Sequence, residues 1–424
     1  MKFVMSSYGT RGEVEPCVAV GRELLRRGHE VCMAVPRDLV GFVESAGLEA
    51  VAYKLDSQTE FEAYHKLWKH FYFSRNLLRV GDLNKLLLEA AEIGGQCLAE
   101  TGTTLMSLAD GADLVLTGQN IEQPAANVAE YYDIPLVTVH YSPMRANGQI
   151  IPIFPPPLLR RALTMYEWLM WRMTKGLEDA QRHELGLPKT TAPVAQQLAE
   201  RGSLEIQAYD EACFPGLATE WGKWNDQRPF VGTLTMELPT DADDDVLSWI
   251  AAGTPPIYFG FGSMLVASPA DALAMISAAC AQLGERALVC SAGADFSHAP
   301  DFDNVKVVGT MNYAAIFPAC RALVHHGGSG TTPIGLRAGL PTLVLWTQRD
   351  QWIWGAQVRR LKVGTARRLT TTTEETLIAD LRTILAPQYL VRARNIATKM
   401  TKPAESISNT ADLVENFARS RRIG

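Results

Sequence analysis

The chain has 424 residues, of which 47% are hydrophobic and 20% charged, a composition that predicts a globular protein of about two domains or more. Its formal net charge of −6 at pH 7 argues against a general nucleic-acid binder. The seven cysteines are an odd number without metal-ligand spacing, so we expect free thiols in a reducing cytoplasm. The apolar stretch at the N-terminus is too short for the core of a signal peptide. No apolar run reaches the roughly 18–20 residues that span a membrane.

The first half of the chain alternates apolar strands with amphipathic helices. It opens with a predicted strand at 2–7, a turn, and a predicted helix at 15–28 with Val18, Leu24 and Leu25 on its buried face. Further strands are predicted at 30–35, 112–118 and 134–141, with a helix near 122–131. This alternation is typical of a doubly wound parallel sheet.

The turn at 8–16, YGTRGEVEP, follows the first predicted strand. Gly9 and Gly12 permit tight backbone geometry there. Glu13 and Glu15 suit the start of a helix, where the dipole favours carboxylates.

The segment 151–176, IPIFPPPLLRRALTMYEWLMWRMTKG, is unusually apolar. Its three prolines at 155–157 predict an extended lead-in. On a helical wheel of about 100° per residue, cations gather on one side and aliphatic residues on the other, while Trp168 and Trp171 fall in the polar arc. Two interpretations stay open: a core-packed helix with a wet polar face, or a basic, Trp-containing face for a membrane interface or a lipid-tailed acceptor. The aromatic-rich segment 67–80 adds apolar material to the same half.

The second half begins after an acidic stretch at 236–246, which we interpret as a linker together with the entry to the second domain. Strands are predicted at 255–264 (with its turn), 287–293, 304–311, 321–325 and 341–346, and helices near 373–386, 388–402 and 404–420.

The run HHGGSGTT at 325–332 is the most specific motif. His325 ends a predicted strand, and glycines at 327 and 328 let backbone N–H groups turn towards a ligand. Thr331 opens a helix, whose N-terminus attracts a diphosphate, and the His325 imidazole can add a hydrogen bond. Asp350 and Gln351 follow the next strand at the edge where α/β sheets bind ligands, and their side chains suit sugar hydroxyls.

The motif with its downstream Asp-Gln pair resembles the donor signature of the GT-B glycosyltransferases. The subset with this motif includes antibiotic glycosyltransferases of the vancomycin type, sterol glucosyltransferases and, nearest to this chain, mycobacterial glycopeptidolipid glycosyltransferases. The resemblance implies an α/β fold of two Rossmann-like doubly wound domains that face a deep cleft. Residues 1–232 would bind the acceptor and 233–403 the nucleotide sugar, with a last helix at about 404–424 packing back on the first domain.

The resemblance also implies a donor site. Arg11 would offset charge on the leaving nucleotide, and backbone groups near Met311 would hold the base. Positive groups of the protein would replace a divalent ion, so we expect neither metal nor another cofactor. The implied donor residues are Thr10, Arg11, Gly12, Ser263, Met311, Asn312, His325, Gly327, Gly328, Ser329, Gly330, Thr331, Asp350 and Gln351.

Glu13 is the candidate catalytic base, because the vancomycin-type enzymes have an Asp at this motif position. The alternative is that Glu13 only supports the helix start, and His140 is then the next candidate base. For the acceptor we group His140 with Trp168, Trp171 and Trp346.

These features lead to one functional hypothesis with stated alternatives. The chain is expected to be an inverting, metal-independent enzyme of glycopeptidolipid biosynthesis for the cell envelope. It would transfer rhamnose or 6-deoxytalose from a dTDP-sugar to a lipopeptide hydroxyl, in the cytoplasm or at the inner face of the membrane. A sterol or macrocycle glycosyltransferase using a UDP- or dTDP-sugar is the alternative acceptor class. A GT-B-fold sugar-nucleotide epimerase and a catalytically silent binding homologue are the alternatives that are not transferases.

Overall fold

A computed structural model describes residues 1–56, 80–151, 153–260, 268–291, 296 and 300–422, without the side chains of 80–84, 87, 349 and 422. Within these residues the strands form two six-stranded parallel sheets. When the strands of each sheet are counted from one to six along the chain, the order across the sheet is 3-2-1-4-5-6, which is the doubly wound order. The predicted α/β fold of two Rossmann-like halves is therefore confirmed.

The first sheet carries its helices on both faces. Its strands are β1 (Lys2–Ser6), β2 (Glu30–Val35), β3 (Glu49–Ala52), β4 (Leu114–Gly118), β5 (Leu136–His140) and β6 (Leu204–Gln207). The helices of this half are α1 (Arg11–Arg26), α2 (Val40–Ser45), α3 (Val80–Leu108), α4 (Glu122–Tyr132), α5 (Pro156–Glu184), α6 (Val194–Glu200) and α7 (Leu217–Glu220).

The second sheet repeats this plan. Its strands are β7 (Ile257–Gly260), β8 (Ala287–Cys290), β9 (Val305–Val308), β10 (Ala322–His325), β11 (Thr342–Trp346) and β12 (Gly364–Arg368). The remaining helices are α8 (Asp243–Ala251), α9 (Pro269–Leu283), α10 (Tyr313–Ile316), α11 (Thr331–Arg337), α12 (Arg349–Arg360), α13 (Glu374–Ile384), α14 (Pro387–Ala397) and α15 (Pro403–Arg422).

Two local predictions were wrong. Helix α1 starts at Arg11 rather than 15, because Thr10 and Glu13 form a capping box, and Leu25 on it is 39% exposed. Helix α5 starts within the tri-proline segment, since the first helical turn needs no backbone N–H donors. Helix α8 starts at Asp243 within the acidic stretch, as an entry to the second half would, and its dipole favours carboxylates there.

The last helix, α15, packs against the first sheet's helices. Val414 lies in the hydrophobic core of that half. Arg27 of α1 pairs with Asp412 at 2.6 Å, and His29 lies 2.9 Å from Glu415.

The two halves also meet directly below their carboxyl edges. The rings of Phe214 and Trp354 contact edge to face with centroids 5.0 Å apart. Arg360 donates to the backbone carbonyl of Gln149 at 3.1 Å. These contacts join the two halves of the chain.

Candidate active site

Glu13 lies beyond the carboxyl end of β1, next to the point where the strand order of the first sheet reverses. Its Oε2 accepts a hydrogen bond from the Thr10 backbone N–H at 2.5 Å, and its Oε1 accepts one from the Asn120 side chain at 2.9 Å. Gly9 makes this possible, because a Cβ there would lie 2.0 Å from Oε2 and its φ of +125° is one that side chains rarely adopt. Glu13 is thus both a helix cap and a group of the cleft.

The environment of Glu13 favours proton uptake. Burial raises the pKa of its carboxyl, and the negative charge of Asp350 raises it further, while the hydrogen bonds from Thr10 and Asn120 act in the opposite direction. Asp350 belongs to the second half of the chain. Its charge acts on Glu13, so the two carboxylates are near enough to interact, and a carboxylate with a raised pKa is the stronger base.

Tyr141 is a third donor to Glu13, after Thr10 and Asn120, and the sequence analysis named neither Tyr141 nor Asn120. Its phenol O–H lies 3.4 Å from Glu13 Oε1. Burial raises the pKa of Tyr141, as does the charge of Glu13, so the phenol stays protonated. Tyr141 and Asn120 each follow a parallel strand of the first sheet, β5 and β4. A polar residue directly after such a strand was the signal in the sequence that could have identified them. Of the neighbouring residues His140 and Tyr141, the sequence analysis selected His140.

His140 is fully buried in the sheet. Its Nε2 lies 2.5 Å from Glu122 Oε1 and 3.1 Å from the Thr138 hydroxyl. Arg145 donates two hydrogen bonds of 2.9 Å to the same carboxylate. Although burial opposes ionisation, Arg145 and His140 lower the pKa of Glu122 to about 2. His140 therefore belongs to a buried charge network, and its roles as base or acceptor contact stay predictions.

The donor loop of the second sheet begins at His325, which is fully buried at the end of β10. Its Nδ1 accepts the Gly327 N–H at 3.0 Å, so the neutral ring carries its proton on Nε2. Burial, followed by the proximity of His326, lowers the pKa of His325 to about 3. Among the described residues the buried Nε2 has no hydrogen-bond partner. His325 is thus a neutral imidazole with one donor unused.

Gly327 is required by the packing of this loop. Its φ is +91°, and a Cβ would lie 2.7 Å from Val344 Cγ1 and 2.9 Å from the Gln351 carbonyl oxygen. The half-buried residues 328–330 then lead into α11, which starts at Thr331. The Thr332 hydroxyl donates to the Gly328 carbonyl at 2.8 Å and fixes the turn. In the first turn of α11 the Thr332 N–H donates to the Gly328 carbonyl at 3.0 Å and Pro333 has no N–H, which leaves the Thr331 amide to meet an anion.

Asp350 and Gln351 both lie in the first turn of α12, but in different environments. Gln351 is only 4% exposed, and its Oε1 accepts the backbone N–H groups of Thr347 at 2.9 Å and Gln348 at 3.1 Å. Asp350 stays in contact with solvent, while desolvation by the surrounding cleft raises the pKa of its carboxyl. Gln351 holds the loop, and Asp350 is the one that faces the cleft.

Arg11 and its neighbours line the first-domain side of the cleft. Thr10 caps α1, and the exposed Gly12 follows Arg11 in the first turn. The Arg11 Nε donates to Glu15 at 3.2 Å, and its Cζ lies 4.7 Å from the centroid of the Phe42 ring. Burial raises the pKa of Tyr313 in the second half, and the charge of Arg11 opposes this shift. Arg11 is therefore an exposed cation held between Glu15 and the Phe42 ring at the start of α1.

The remaining sequence candidates are dispersed. Ser263 and most of 67–80 lie outside the described residues. Met311 is buried in a hydrophobic cluster, and Asn312 caps α10 by accepting the Ala314 N–H at 3.1 Å. Trp346 ends β11 half-buried, on the same sheet edge as His325.

Trp168 and Trp171 lie on α5 and are not brought together with the donor loop. Trp168 is exposed, and Trp171 donates to Glu178 at 2.9 Å. In the described part of the chain, no group of three or more His, Cys, Asp or Glu side chains is arranged to hold a metal ion. No helix in the same ranges is long and apolar enough to cross a membrane.

Comparison with known proteins identifies the family of the chain. Residues 3–93 match the glycosyltransferase family 28 N-terminal domain, and residues 261–415 match the C-terminal domain of proteins like the erythromycin biosynthesis protein CIII. An uncharacterised glycosyltransferase of Mycobacterium tuberculosis (strain H37Rv) is 59% identical over 425 aligned residues, which cover both chains completely.

Solved structures share the fold along the full length. The calicheamicin glycosyltransferase superposes with a TM-score of 0.68 at 18% identity, covering 98% of each chain. The glycosyltransferase VinC in complex with dTDP superposes with a TM-score of 0.66 at 18% identity, covering 99% of this chain and all of VinC.

Proposed function

We propose that this chain, which belongs to the GT-B glycosyltransferases, is an inverting enzyme that moves a 6-deoxysugar from a dTDP-linked donor to a hydroxyl of a lipopeptide. The 59% identity to a mycobacterial glycosyltransferase over the whole chain carries the family membership. The choice of rhamnose or 6-deoxytalose, and of a glycopeptidolipid acceptor, is supported by the resemblance of its donor motif to that group of enzymes. The dTDP complex of VinC supports the nucleotide.

The observation that supports the mechanism best is the position of Glu13 beyond the carboxyl end of β1, where its two carboxylate oxygens accept hydrogen bonds from Thr10 and Asn120. Glu13 has a raised pKa and follows the first strand of one sheet, while Asp350 follows the fifth strand of the other. Ligands of doubly wound sheets bind outside the carboxyl ends of the strands at the point where their order reverses. A substrate between the two sheets would therefore meet a base on one side and a polar side chain on the other.

The reaction we propose is a single displacement. Glu13 takes the proton of the acceptor hydroxyl, and the resulting oxygen nucleophile attacks the anomeric carbon of the donor sugar. The bond between that carbon and the β-phosphate oxygen breaks, and its electron pair stays on the leaving nucleoside diphosphate. Attack from the face opposite the leaving group inverts the anomeric configuration.

The leaving diphosphate needs positive or hydrogen-bonding groups. The Nε2–H of His325 and the Thr331 amide at the start of α11 can serve this purpose on the second sheet. Arg11 can add its charge from the first domain. These groups would replace a divalent ion, so we propose that transfer needs no metal.

The test is a donor assay with purified protein. Nucleotide release is measured with dTDP-rhamnose, dTDP-glucose, UDP-glucose and GDP-mannose, without and with a deacylated or intact glycopeptidolipid core. We expect release only from dTDP-sugars above background, acceleration by the acceptor, and an inverted anomeric proton in the product by NMR. Epimerised donor without acceptor would instead identify an epimerase. Binding without any turnover would identify a silent homologue.

A further inference from the structure

Helix α5 exposes an apolar stripe on the first domain. Leu158, Met165, Leu169 and Met173 are 60%, 69%, 51% and 72% exposed. Their spacing of seven, four and four residues places them on one face of the helix. Ile153 and Phe154, just before the helix, extend this exposed surface. Large contiguous apolar surfaces are rare on monomeric proteins and mark contact sites, so the interpretation of α5 as a core-packed helix was wrong for this stripe.

Two exposed arginines border the stripe. Arg161 and Arg172 each lie three residues after a stripe residue and are exposed. In the described part of the chain neither of them makes an ion pair, whereas Arg160 pairs with Glu220 at 2.6 Å and Lys175 with Asp179 at 2.7 Å. The chain as a whole carries a formal charge of −6. A positive border in an acidic protein is complementary to an anionic partner.

An exposed tryptophan lies on the same border. Trp168 is exposed, and the Arg172 guanidinium carbon lies 5.9 Å from the centroid of its ring. Tryptophan and arginine together suit the boundary between headgroups and acyl chains, because each has an apolar body with a polar end. Over the stripe the helix is about 22 Å long at 1.5 Å per residue, which fits a helix that lies along an interface.

We propose that this docking face, formed by Leu158, Met165, Leu169 and Met173 with Arg161, Trp168 and Arg172, binds the surface of an anionic lipid bilayer. Helix α5 would lie in the interface plane, with its apolar side chains in the acyl boundary and its arginines at anionic headgroups.

The position of the docking face also relates it to the cleft. The loop that leads into α5 starts at Tyr141, whose hydroxyl contacts Glu13. Along this loop the Gln149 carbonyl accepts a hydrogen bond from Arg360 of the second domain at 3.1 Å. A bilayer on the docking face would therefore lie beside the cleft, where lipid-anchored acceptors would be presented. The docking itself does not depend on which sugar or acceptor is used.

The experiment is flotation of the full-length protein with lipid vesicles. Vesicles of phosphatidylcholine and phosphatidylglycerol in equal parts are compared with phosphatidylcholine alone, at low and at high salt. We expect binding to the mixed vesicles, weakened about tenfold or more by high salt or by removal of the anionic lipid. The double variants Met165→Gln/Leu169→Gln and Arg161→Gln/Arg172→Gln should each lower binding by a similar factor.

Matched controls come from the second domain. Val391 is 67% exposed on α14, and Arg392 follows it, so Val391→Gln/Arg392→Gln changes the same residue types elsewhere. This control should float like the parent protein, and all variants should keep the parent melting temperature because the changed side chains are exposed. Absence of flotation with mixed vesicles would overturn the proposal, as would equal flotation of all variants. A dimer of the parent in sedimentation that the Met165→Gln/Leu169→Gln change dissociates would also overturn it, since a second copy would then cover the stripe.

Discussion

Replacing Glu13 by Gln removes both the basicity of this side chain and one of its hydrogen bonds, and the two effects can be measured separately. In the parent protein one carboxylate oxygen caps the Thr10 N–H and the other accepts from Asn120 and Tyr141. A carboxamide has only one acceptor oxygen, so its NH₂ group must face either the Thr10 N–H or the Asn120 amide. Two hydrogen-bond donors then oppose each other and no hydrogen bond forms between them. The variant therefore loses a hydrogen bond in addition to its basicity.

The two losses have different magnitudes and different readouts. A buried donor without an acceptor costs about 1–3 kcal/mol, which lowers the free energy of unfolding by that amount. Loss of a positioned base lowers turnover by about 10²-fold or more, equivalent to roughly 2.7 kcal/mol of barrier. A domain stable by about 5–15 kcal/mol remains folded after the first loss, so the turnover of Glu13→Gln is measured on folded enzyme.

Glu23→Gln is the matched control on the same helix. Hydrogen bonds from Arg26, and then from Arg27, lower the pKa of Glu23 to about 2 although burial opposes this shift. Glu23 lies about 15 Å from Glu13 along α1 at 1.5 Å per residue. Its replacement should cost stability but leave kcat at the parent value.

The assay is kcat at saturating donor and acceptor, with donor affinity measured separately by calorimetry. Glu13→Gln should show low kcat and nearly unchanged donor affinity, and Glu13→Asp should keep part of the activity with a shorter reach. A Glu13→Gln enzyme that turns over like Glu23→Gln would refute the base assignment. Glu13 would then be a helix cap, and His140 would be tested next.

Three further predictions address the charges and the loop of the cleft. Glu13 must be ionised to accept a proton, so activity is lost as the pH falls through the raised pKa of Glu13. Asp350→Asn removes one cause of this raised pKa and should move the acidic limb of the kcat/KM profile to lower pH. A limb that does not move would place Asp350 away from Glu13. Gly327→Ala should weaken nucleoside diphosphate binding about tenfold or more, since a side chain at its φ of +91° costs roughly 1–3 kcal/mol. Gly176→Ala, on α5 outside the donor loop and with an unobstructed Cβ position, should bind like the parent in calorimetry. Transfer should persist in excess EDTA, and loss that magnesium or manganese restores would contradict the metal-free mechanism.

The fold could be predicted from the sequence because buried parallel strands leave continuous apolar runs. Leu114–Gly118 and Thr342–Trp346 are such runs, and the structure places strands there. The start of α1 could not be predicted in the same way. Its capping box was read as a turn because glycines and polar residues are typical of both, and only the geometry of Thr10 and Glu13 distinguishes them.

The site could be predicted only where one local motif carries it. His325 and Gly327 are two residues apart, and their hydrogen bond is local. Asn120 and Tyr141 lie 107 and 128 residues from Glu13 and meet it only because β1, β4 and β5 end at one sheet edge. The exposed stripe of α5 has the same pattern as a core helix, and its exposure is a property of the tertiary structure.

Calorimetric titration of dTDP and thymidine into the parent protein and His325→Ala, with EDTA present, tests the central claim most directly. If the loop from His325 to Thr331 holds the diphosphate of a sugar donor, the parent binds dTDP far more tightly than thymidine. His325→Ala then loses about 1.5–3 kcal/mol of dTDP affinity, the value of a hydrogen bond to a charged group, and almost none of its thymidine affinity. Equal losses for the two ligands, or no binding of dTDP by the parent protein, would contradict the account.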